Sequence, residues 1–131
     1  MLLPPRTPLS EFLRYYDPVD VALDPLPFNG GTTTVQALWQ GVPTISLPGT
    51  LLQQRMGLSI LRAAGLEEGF VARDESHYVE LARGWAARRG ELAALRAGMR
   101  ERLLGTTLFD GARFTRGFES TLRRALAIPG P

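Results

Sequence analysis

The segment Asn29-Gly30-Gly31-Thr32-Thr33 combines residue types that can bind an anion. Its two glycines permit positive φ angles and let a ligand approach the main chain, and its two threonines fall where a helix is expected to begin. The first N–H groups of a helix have no partner within it, and the helix dipole adds positive partial charge there. We therefore predict a cradle for a phosphate or a diphosphate, with a simple capped turn as the alternative.

A second loop, predicted at the same edge of the sheet, strengthens the anion-binding interpretation. After the cradle come a short helix that stops at Gly41 and an apolar strand that runs into Pro48-Gly49. In an open parallel sheet, the loops at the carboxyl ends of adjacent strands form the ligand crevice. Segments 29–34 and 48–52 are therefore expected to face one site. Arg55, in the helix that follows, is a candidate to bind phosphate or to pair with a carboxylate.

The elements that must position these loops alternate between strand and helix, as judged by the spacing of apolar residues. This alternation favours an α/β, Rossmann-like half-domain with a short parallel sheet of about three strands and C-terminal helices. We expect one partial domain over residues 1–131. The first predicted elements are a helix over 7–16, a strand over 19–24, a helix opening at Thr32 and a strand over 42–47. They are followed by a helix over 51–64, a strand over 69–72, a helix capped by Asp74 that stops at Gly90, and two further helices, the last capped by Asp110.

Two apolar stripes with helical spacing occupy the C-terminal part of the chain, and we interpret both as core rather than as cofactor sites. Trp39 is expected in the core as well, and His77 on the surface at a helix start. The arginine groups opposite the stripes are expected to be solvated. The stripes are Leu92, Leu95, Met99 and Leu103, and then Phe114, Phe118, Leu122 and Leu126.

Composition excludes several classes of chemistry. All 15 basic residues are arginine, cysteine is absent, and His77 is the single histidine. Schiff-base lysines, disulfides, thiolate metal sites and histidine metal clusters built within one chain are therefore ruled out. A net charge of +2 gives little support to nucleic-acid binding. No apolar run could cross a bilayer, and the opening segment 1–5 is too short and proline-rich for a signal peptide, so a cytoplasmic location is expected.

A hydrolase acting alone is disfavoured because no serine has a plausible base. The only histidine, His77, belongs to a different helix start. The carboxylates Asp24 and Asp110 are more simply explained as a loop cap and a helix cap than as a catalytic pair.

Several stretches resemble the O-GlcNAc transferase and SPINDLY family. They are Val19 to Asp24, Asn29 to Thr33, Ala37 to Pro43, and Leu47 to Gly49, and the similarity continues through Arg55, 59–61, 64–66 and Leu108-Phe109-Asp110. The resemblance therefore covers nearly the whole chain. It implies the C-terminal part of the UDP-sugar-binding domain of a GT-B glycosyltransferase, with UDP-GlcNAc as donor and a protein Ser/Thr hydroxyl as acceptor.

The resemblance also implies roles for individual residues. The family's diphosphate contacts fall by position on Gly31, Thr32 and Thr33, and such catalysis is electrostatic, with neither metal nor other cofactor. Gln36 stands where the family more often has an acidic residue that binds the ribose hydroxyls. Gly31 stands where animal members have histidine and bacterial members commonly glycine, which implies a bacterial-type sequence. The predicted UDP-sugar-binding residues are Asn29, Gly30, Gly31, Thr32, Thr33, Gln36 and Arg55, and the catalytic residues are unknown.

The family's acceptor-side domain and catalytic lysine precede the part that this chain resembles. We therefore expect weak UDP-sugar binding and no transfer activity by the isolated chain unless the missing half is supplied in trans. The last helix of such enzymes often packs onto the first domain, so Phe114, Phe118 and Leu122 would then lack their usual partner. The alternative is a non-catalytic interaction or structural fragment that self-associates or pairs with a larger protein through an exposed strand edge and apolar helix faces.

Overall fold

A computed structural model describes residues 6–127, and the opening segment 1–5 that bears on the signal-peptide prediction lies outside them. The described chain is a mostly helical α/β structure, and none of its helices is long and apolar enough to span a membrane. Its elements are α1 (Leu9–Arg14), β1 (Ala22–Leu23), α2 (Thr32–Trp39), β2 (Thr44–Ile45), a 3-10 turn (Leu52–Gln54), α3 (Met56–Ala63), α4 (Glu67–Phe70), α5 (Glu75–Ala87), α6 (Arg89–Leu104) and α7 (Gly111–Leu126).

The sheet is parallel, as predicted, but its strands are shorter than the sequence suggested. β1 pairs with β2 through Ala22 with Thr44 and Leu23 with Ile45. The predicted third strand is represented by a single parallel bridge between Ser46 and Val71. The preceding residues form the short α4 instead of a strand, with non-helical backbone angles at Glu68 and at Gly69, whose φ is +92°, and with Phe70 buried in the core.

Glycines end two of the helices where the sequence predicted. α2 stops before Gly41, whose φ is +82°, and α3 stops before Gly65, whose φ is +67°. Left-handed φ angles of this kind terminate helices and favour glycine. At both glycines the chain turns back toward the sheet, and for this reason helices and strands alternate in the core.

Three helix boundaries differ from the prediction. The helix expected over 7–16 is confined to α1, and the one expected over 51–64 is divided into the 3-10 turn and α3. The helix capped by Asp74 ends at Ala87, and Gly90 lies inside α6. The break falls at Arg88, whose backbone is non-helical and whose guanidinium stands 3.9 Å from the centre of the Trp85 ring. The stacked pair marks the corner between α5 and α6.

The core lies between the sheet and the helices α2, α3 and α6. The α6 stripe is confirmed as core, since Leu92, Met99 and Leu103 are buried and Leu95 packs beside them. Full burial of each such side chain contributes about 1.5–3 kcal/mol. Trp39 is only half-buried and packs against Phe109, with ring centres 5.1 Å apart. The other fully buried members of this cluster include Leu38, Ile45, Leu61 and Ala64.

The α7 stripe is not core, and this part of the prediction is wrong. Phe114 is 70% exposed and Leu126 is 85% exposed, with Phe118 and Leu122 between them also exposed. Phe114 and Phe118 stack only on each other, with ring centres 6.0 Å apart. Helical spacing identifies the apolar face, but it does not reveal that no other element of the described chain covers it.

Candidate functional site

The start of α2 has the geometry predicted for an anion cradle. Thr32 is the first helical residue and Gly31 the residue before it, with φ −109° and ψ −92°. Within the described chain no side chain caps this helix, so the N–H groups of its first turn, those of Thr32, Thr33 and Thr34, are left open. Open N–H groups at the positive end of the helix dipole attract anions.

Neither glycine of the turn has a positive φ, which corrects the sequence interpretation, and at Gly30 the lack of space favours glycine instead. Positive φ angles occur at Gly41, Gly65 and Gly69 and not in this turn. A Cβ atom at Gly30 would lie 2.6 Å from the Thr34 Oγ1 and 2.9 Å from the Thr33 Oγ1. At Gly31 a Cβ atom would come within 2.5 Å of the terminal methyl of Met56, a side chain that can move aside.

Asp24, directly after β1, holds the turn at Gly30 by a hydrogen bond. The residue is 2% exposed, and its Oδ1 accepts a 2.6 Å hydrogen bond from the Gly30 N–H. Its Oδ2 accepts a 2.5 Å hydrogen bond from the Ser46 hydroxyl at the end of β2. Burial raises the pKa of Asp24 above its ordinary value, and the two hydrogen bonds oppose that rise. The predicted role of Asp24 as the cap of this loop is confirmed.

The loop after β2 lies beside the turn, as predicted. The Asn29 N–H donates to the Gln53 carbonyl at 3.1 Å, which joins the two loops directly. Gln54 closes the second loop, because its Oε1 accepts from the N–H groups of Thr50 and Leu51. Arg55 is exposed and donates to the Gly49 carbonyl at 3.1 Å, so it also braces this loop.

The predicted binding residues separate onto two sides of α2. Thr32 and Gln36 line a mainly apolar cavity of about 300 Å³, here called the Gln36 cavity. Thr33 and Gly30 line a smaller cavity of about 180 Å³, here called the Thr33 cavity. The remaining walls of the Gln36 cavity are Leu9, Leu13, Val35, Trp39 and Phe109. A ligand held at the first turn of α2 can therefore extend along either side of the helix.

Two buried polar atoms near the turn have no partner among the described protein atoms. They are the Oγ1 of Thr44, which lines the Thr33 cavity, and the Oδ1 of Asn29. The Asn29 amide also donates a long hydrogen bond of 3.4 Å to the Pro25 carbonyl. Buried acceptors of this kind favour a polar occupant nearby.

Three residues of the site were missed by sequence reasoning. Ser46 was not singled out, although its place at the carboxyl end of β2 was a signal. Tyr78 donates from its hydroxyl to the Asp24 carbonyl at 2.9 Å, and Tyr16 donates to the Thr33 carbonyl at 3.2 Å. Burial and the nearby Asp24 charge both raise the pKa of Tyr78. No spacing rule relates either tyrosine to the turn.

The remaining candidates behave as caps. Asp74 and Asp110 each accept a 2.8 Å hydrogen bond from an N–H in the first turn of their helix. His77 lies in the first turn of α5, where its Nδ1 accepts from the Arg73 N–H. The structure therefore does not join these residues to the turn before α2.

Comparison with protein families gives one clear match. Residues 1–118 match the model of glycosyl transferase family 41. Among curated proteins, the chain is similar to a probable UDP-N-acetylglucosamine–peptide N-acetylglucosaminyltransferase SPINDLY from Petunia hybrida, with 39% identity over 113 residues. It is also 36% identical over 110 residues to the SEC protein of Arabidopsis thaliana, which carries the same enzyme description.

The chain covers only a small part of these proteins. The matched region is 86% of this chain but 12% of the Petunia protein, and 84% of this chain but 11% of the Arabidopsis one. A solved structure of an O-GlcNAc transferase mutant from Thermobaculum terrenum has a TM-score of 0.81 and 40% identity to this chain. That similarity covers 90% of this chain and 22% of the solved one.

Proposed function

Since the chain belongs to glycosyl transferase family 41 and shares the O-GlcNAc transferase and SPINDLY homology of that family, we propose that the turn before α2 binds the diphosphate of a UDP-sugar. The donor we propose is UDP-GlcNAc. The acceptor we propose is a Ser/Thr hydroxyl of a substrate protein, which an acceptor-side domain outside this chain would bind. The chain would then be one partial domain, the C-terminal part of the nucleotide-sugar-binding domain of a GT-B enzyme.

The observation that carries this proposal is the open first turn of α2. Three N–H groups point out of an uncapped helix start, next to a turn in which glycine keeps the backbone accessible. The hydroxyls of Thr32 and Thr33 add one donor on each side of this helix start. The charge that develops on a leaving diphosphate would be stabilised there by fixed dipoles, which requires no metal.

The Gln36 cavity suits the nucleoside portion of such a donor. Gln36 lies one turn after Thr32 on the same side of α2, so its amide can bond a ribose hydroxyl while Thr32 contacts phosphate. The apolar walls formed by Leu9, Leu13 and Trp39 suit the face of a base. Arg55 adds positive charge near the second loop, beyond its bond to the Gly49 carbonyl.

The test is titration of UDP into the purified chain, followed by amide NMR shifts and thermal protection. We expect weak, saturable shifts at Gly31, Thr32 and Thr33, and loss of protection in the Thr32→Val, Thr33→Val double variant. A matched control is Thr115→Val with Thr121→Val, two exposed threonines of α7. Unchanged binding by the first pair, or equal loss by the control pair, would overturn the site assignment.

The exposed α7 stripe favours a second candidate function, a non-catalytic module that associates through this face. Contiguous exposed apolar surfaces are typical of interaction sites. Sedimentation velocity over a range of concentrations distinguishes the two functions. Association that is unaffected by UDP, together with no UDP-dependent shifts, would favour the interaction module, whereas a monomer that binds UDP would favour the glycosyltransferase part.

A further inference from the structure

We propose that Asp24 is a positioning residue that reserves the Gly30 N–H, so that a bound diphosphate is held by the first-turn N–H groups of α2 and not by Gly30. The inference rests on the proposed function, because it concerns how the same turn binds its ligand. It assigns different partners to neighbouring N–H groups, which is here called the division of labour within the turn. The Gly30 N–H bonds Asp24, and the N–H groups of the first turn of α2 bind the ligand.

The first step of the argument is that Asp24 joins four parts of the chain at one point. Its main-chain N–H donates to the Ile45 carbonyl in the sheet, and its main-chain carbonyl accepts from the Tyr78 hydroxyl of α5. Its two carboxylate oxygens accept from Gly30 and Ser46, at 2.6 and 2.5 Å. A residue whose main chain and carboxylate are each held by two hydrogen bonds has little freedom to reorient, so it fixes the direction of the Gly30 N–H.

The second step is the lack of room around this carboxylate. A Cβ atom at Gly57, in the first turn of α3, would overlap both the Asp24 Oδ2 and the Ser46 Oγ. Gly57 is therefore the residue that lets α3 approach the pair. On the other side, Gly30 is closed in by the Thr33 and Thr34 hydroxyls. The carboxylate cannot swing away from the turn without displacing one of these elements.

The third step concerns charge. A buried carboxylate beneath an anion site would repel the anion, so its retention there has to be explained by another role. Accepting the Gly30 N–H is such a role, because an ionised acceptor forms the stronger hydrogen bond and holds the turn more firmly. The Gly30 N–H then points inward to Asp24, while no side chain of the described residues caps the N–H groups of the first turn of α2, of which those of Thr32 and Thr33 belong to exposed residues.

This division can be tested with three variants of the whole chain and UDP as the probe at pH 7. Asp24→Ala removes the acceptor, Ser46→Ala leaves the charge but removes its second anchor, and Asp24→Asn keeps an oxygen for Gly30 without the charge. We expect UDP affinity to fall about tenfold or more in Asp24→Ala and severalfold in Ser46→Ala. Asp24→Asn should bind UDP more weakly than the unaltered chain but more tightly than Asp24→Ala, because an amide oxygen still accepts the N–H but forms a weaker hydrogen bond than a carboxylate.

A second readout separates positioning from general loss of structure. Amide hydrogen exchange with and without UDP should show new protection at Thr32 and Thr33, and protection at Gly30 that is the same in both states. Ser120→Ala, on the exposed face of α7, is the matched control for Ser46→Ala and should leave binding unchanged.

The outcomes distinguish this inference from the proposed function. If the unaltered chain binds UDP and folded Asp24→Ala or Ser46→Ala binds it equally well, Asp24 does not position the turn and the proposed function stands. If UDP newly protects Gly30, the division of labour is wrong. If the unaltered chain shows no response to UDP, the proposed function fails and this inference fails with it. If Asp24→Ala does not fold, the UDP affinity of Ser46→Ala and the hydrogen exchange of the Gly30 amide decide the test.

Discussion

The Ser46 hydroxyl donates a 2.5 Å hydrogen bond to the Asp24 carboxylate, across 22 positions of sequence. Each residue closely follows a strand of the parallel pair, so the bond joins the carboxyl ends of β1 and β2. The same carboxylate accepts the Gly30 N–H. One buried side chain therefore connects the sheet register to the turn that opens α2.

The raised pKa of Asp24 predicts that the contribution of this residue to the free energy of unfolding depends on pH. Between the ordinary pKa of an aspartate and the raised pKa in the fold, the folded chain holds a proton that the unfolded chain has lost. The contribution of this group to the free energy of unfolding therefore falls as pH rises through that window. We expect Asp24→Asn to lose this contribution, so that its stability relative to the unaltered chain increases as pH rises through the window.

Urea denaturation at a series of pH values from about 4 to 7 measures this difference. Glu67 and Asp74, whose pKa values are lowered by their hydrogen bonds, act in the opposite direction in both proteins and cancel in the comparison. Parallel pH profiles for the two chains would contradict the prediction.

The space around Gly57 predicts that Gly57→Ala is strongly destabilising. A methyl group there would overlap the buried pair of Asp24 and Ser46, and neither has room to withdraw. Gly117→Ala is the control, since nothing lies within 4 Å of a Cβ atom at that position on α7. Because alanine is the better helix former, Gly117→Ala should stabilise the chain by about 0.5–1 kcal/mol. Thermal unfolding of both variants checks this, and similar shifts in one direction would refute the packing argument.

Leu61 and Phe118 should respond very differently to truncation, although both are large apolar residues of helices. Leu61 is fully buried in the core, so Leu61→Ala should cost about 2–5 kcal/mol. Phe118 is more than half exposed, so Phe118→Ala should cost less than about 1 kcal/mol. Chemical denaturation at a low protein concentration, where association through α7 is minimal, compares the two. A large loss in Phe118→Ala would indicate that α7 is covered in solution.

Arg96, on α6, should stabilise the segment around α1, whose residues Leu9 and Leu13 line the Gln36 cavity. Its guanidinium donates to the carbonyls of Val19, Tyr16 and Asp17, at 2.6, 3.1 and 3.2 Å, just after α1. We expect Arg96→Ala to lower the free energy of unfolding by about 1–3 kcal/mol, since it leaves three carbonyls without a charged donor. Arg116→Ala, on exposed α7, is the control.

Amide exchange of residues 9–19 provides the local measurement for Arg96. Faster exchange over this segment in Arg96→Ala, with little change at α7, is the expected result. Equal stability of the two arginine variants would show that these three bonds contribute nothing.

Local signals in the sequence predicted the parts of the structure that depend on local chemistry. Gly41 and Gly65 end helices because of their backbone freedom, Asp74 and Asp110 cap helices, and Thr32 begins α2 after a glycine. The family resemblance located the turn and was confirmed by the comparisons. The assignment of individual ligand contacts to Asn29, Gly30, Gly31, Thr32, Thr33, Gln36 and Arg55 stays a prediction.

The features that sequence reasoning missed depend on contacts between distant residues. Tyr78 reaches Asp24 from 54 positions away, and nothing in the pattern of α5 distinguishes that tyrosine from an ordinary core residue. The α7 stripe has helical spacing, as the α6 stripe does, yet within residues 6–127 α6 is the one of the two that packs against the core. Periodicity identifies which face is apolar, whereas tertiary packing decides whether that face is buried.

The hydrogen bonds made by Arg96 also affect the order in which parts of the chain fold during synthesis. The carbonyls it binds belong to residues 77 to 80 positions earlier in the chain. A chain growing on the ribosome exposes α1, β1 and α2 well before α6 has emerged, and contacts over such separations form late. The side of α2 that faces the Gln36 cavity is thus translated early but takes its final shape only when the later helix arrives to hold it.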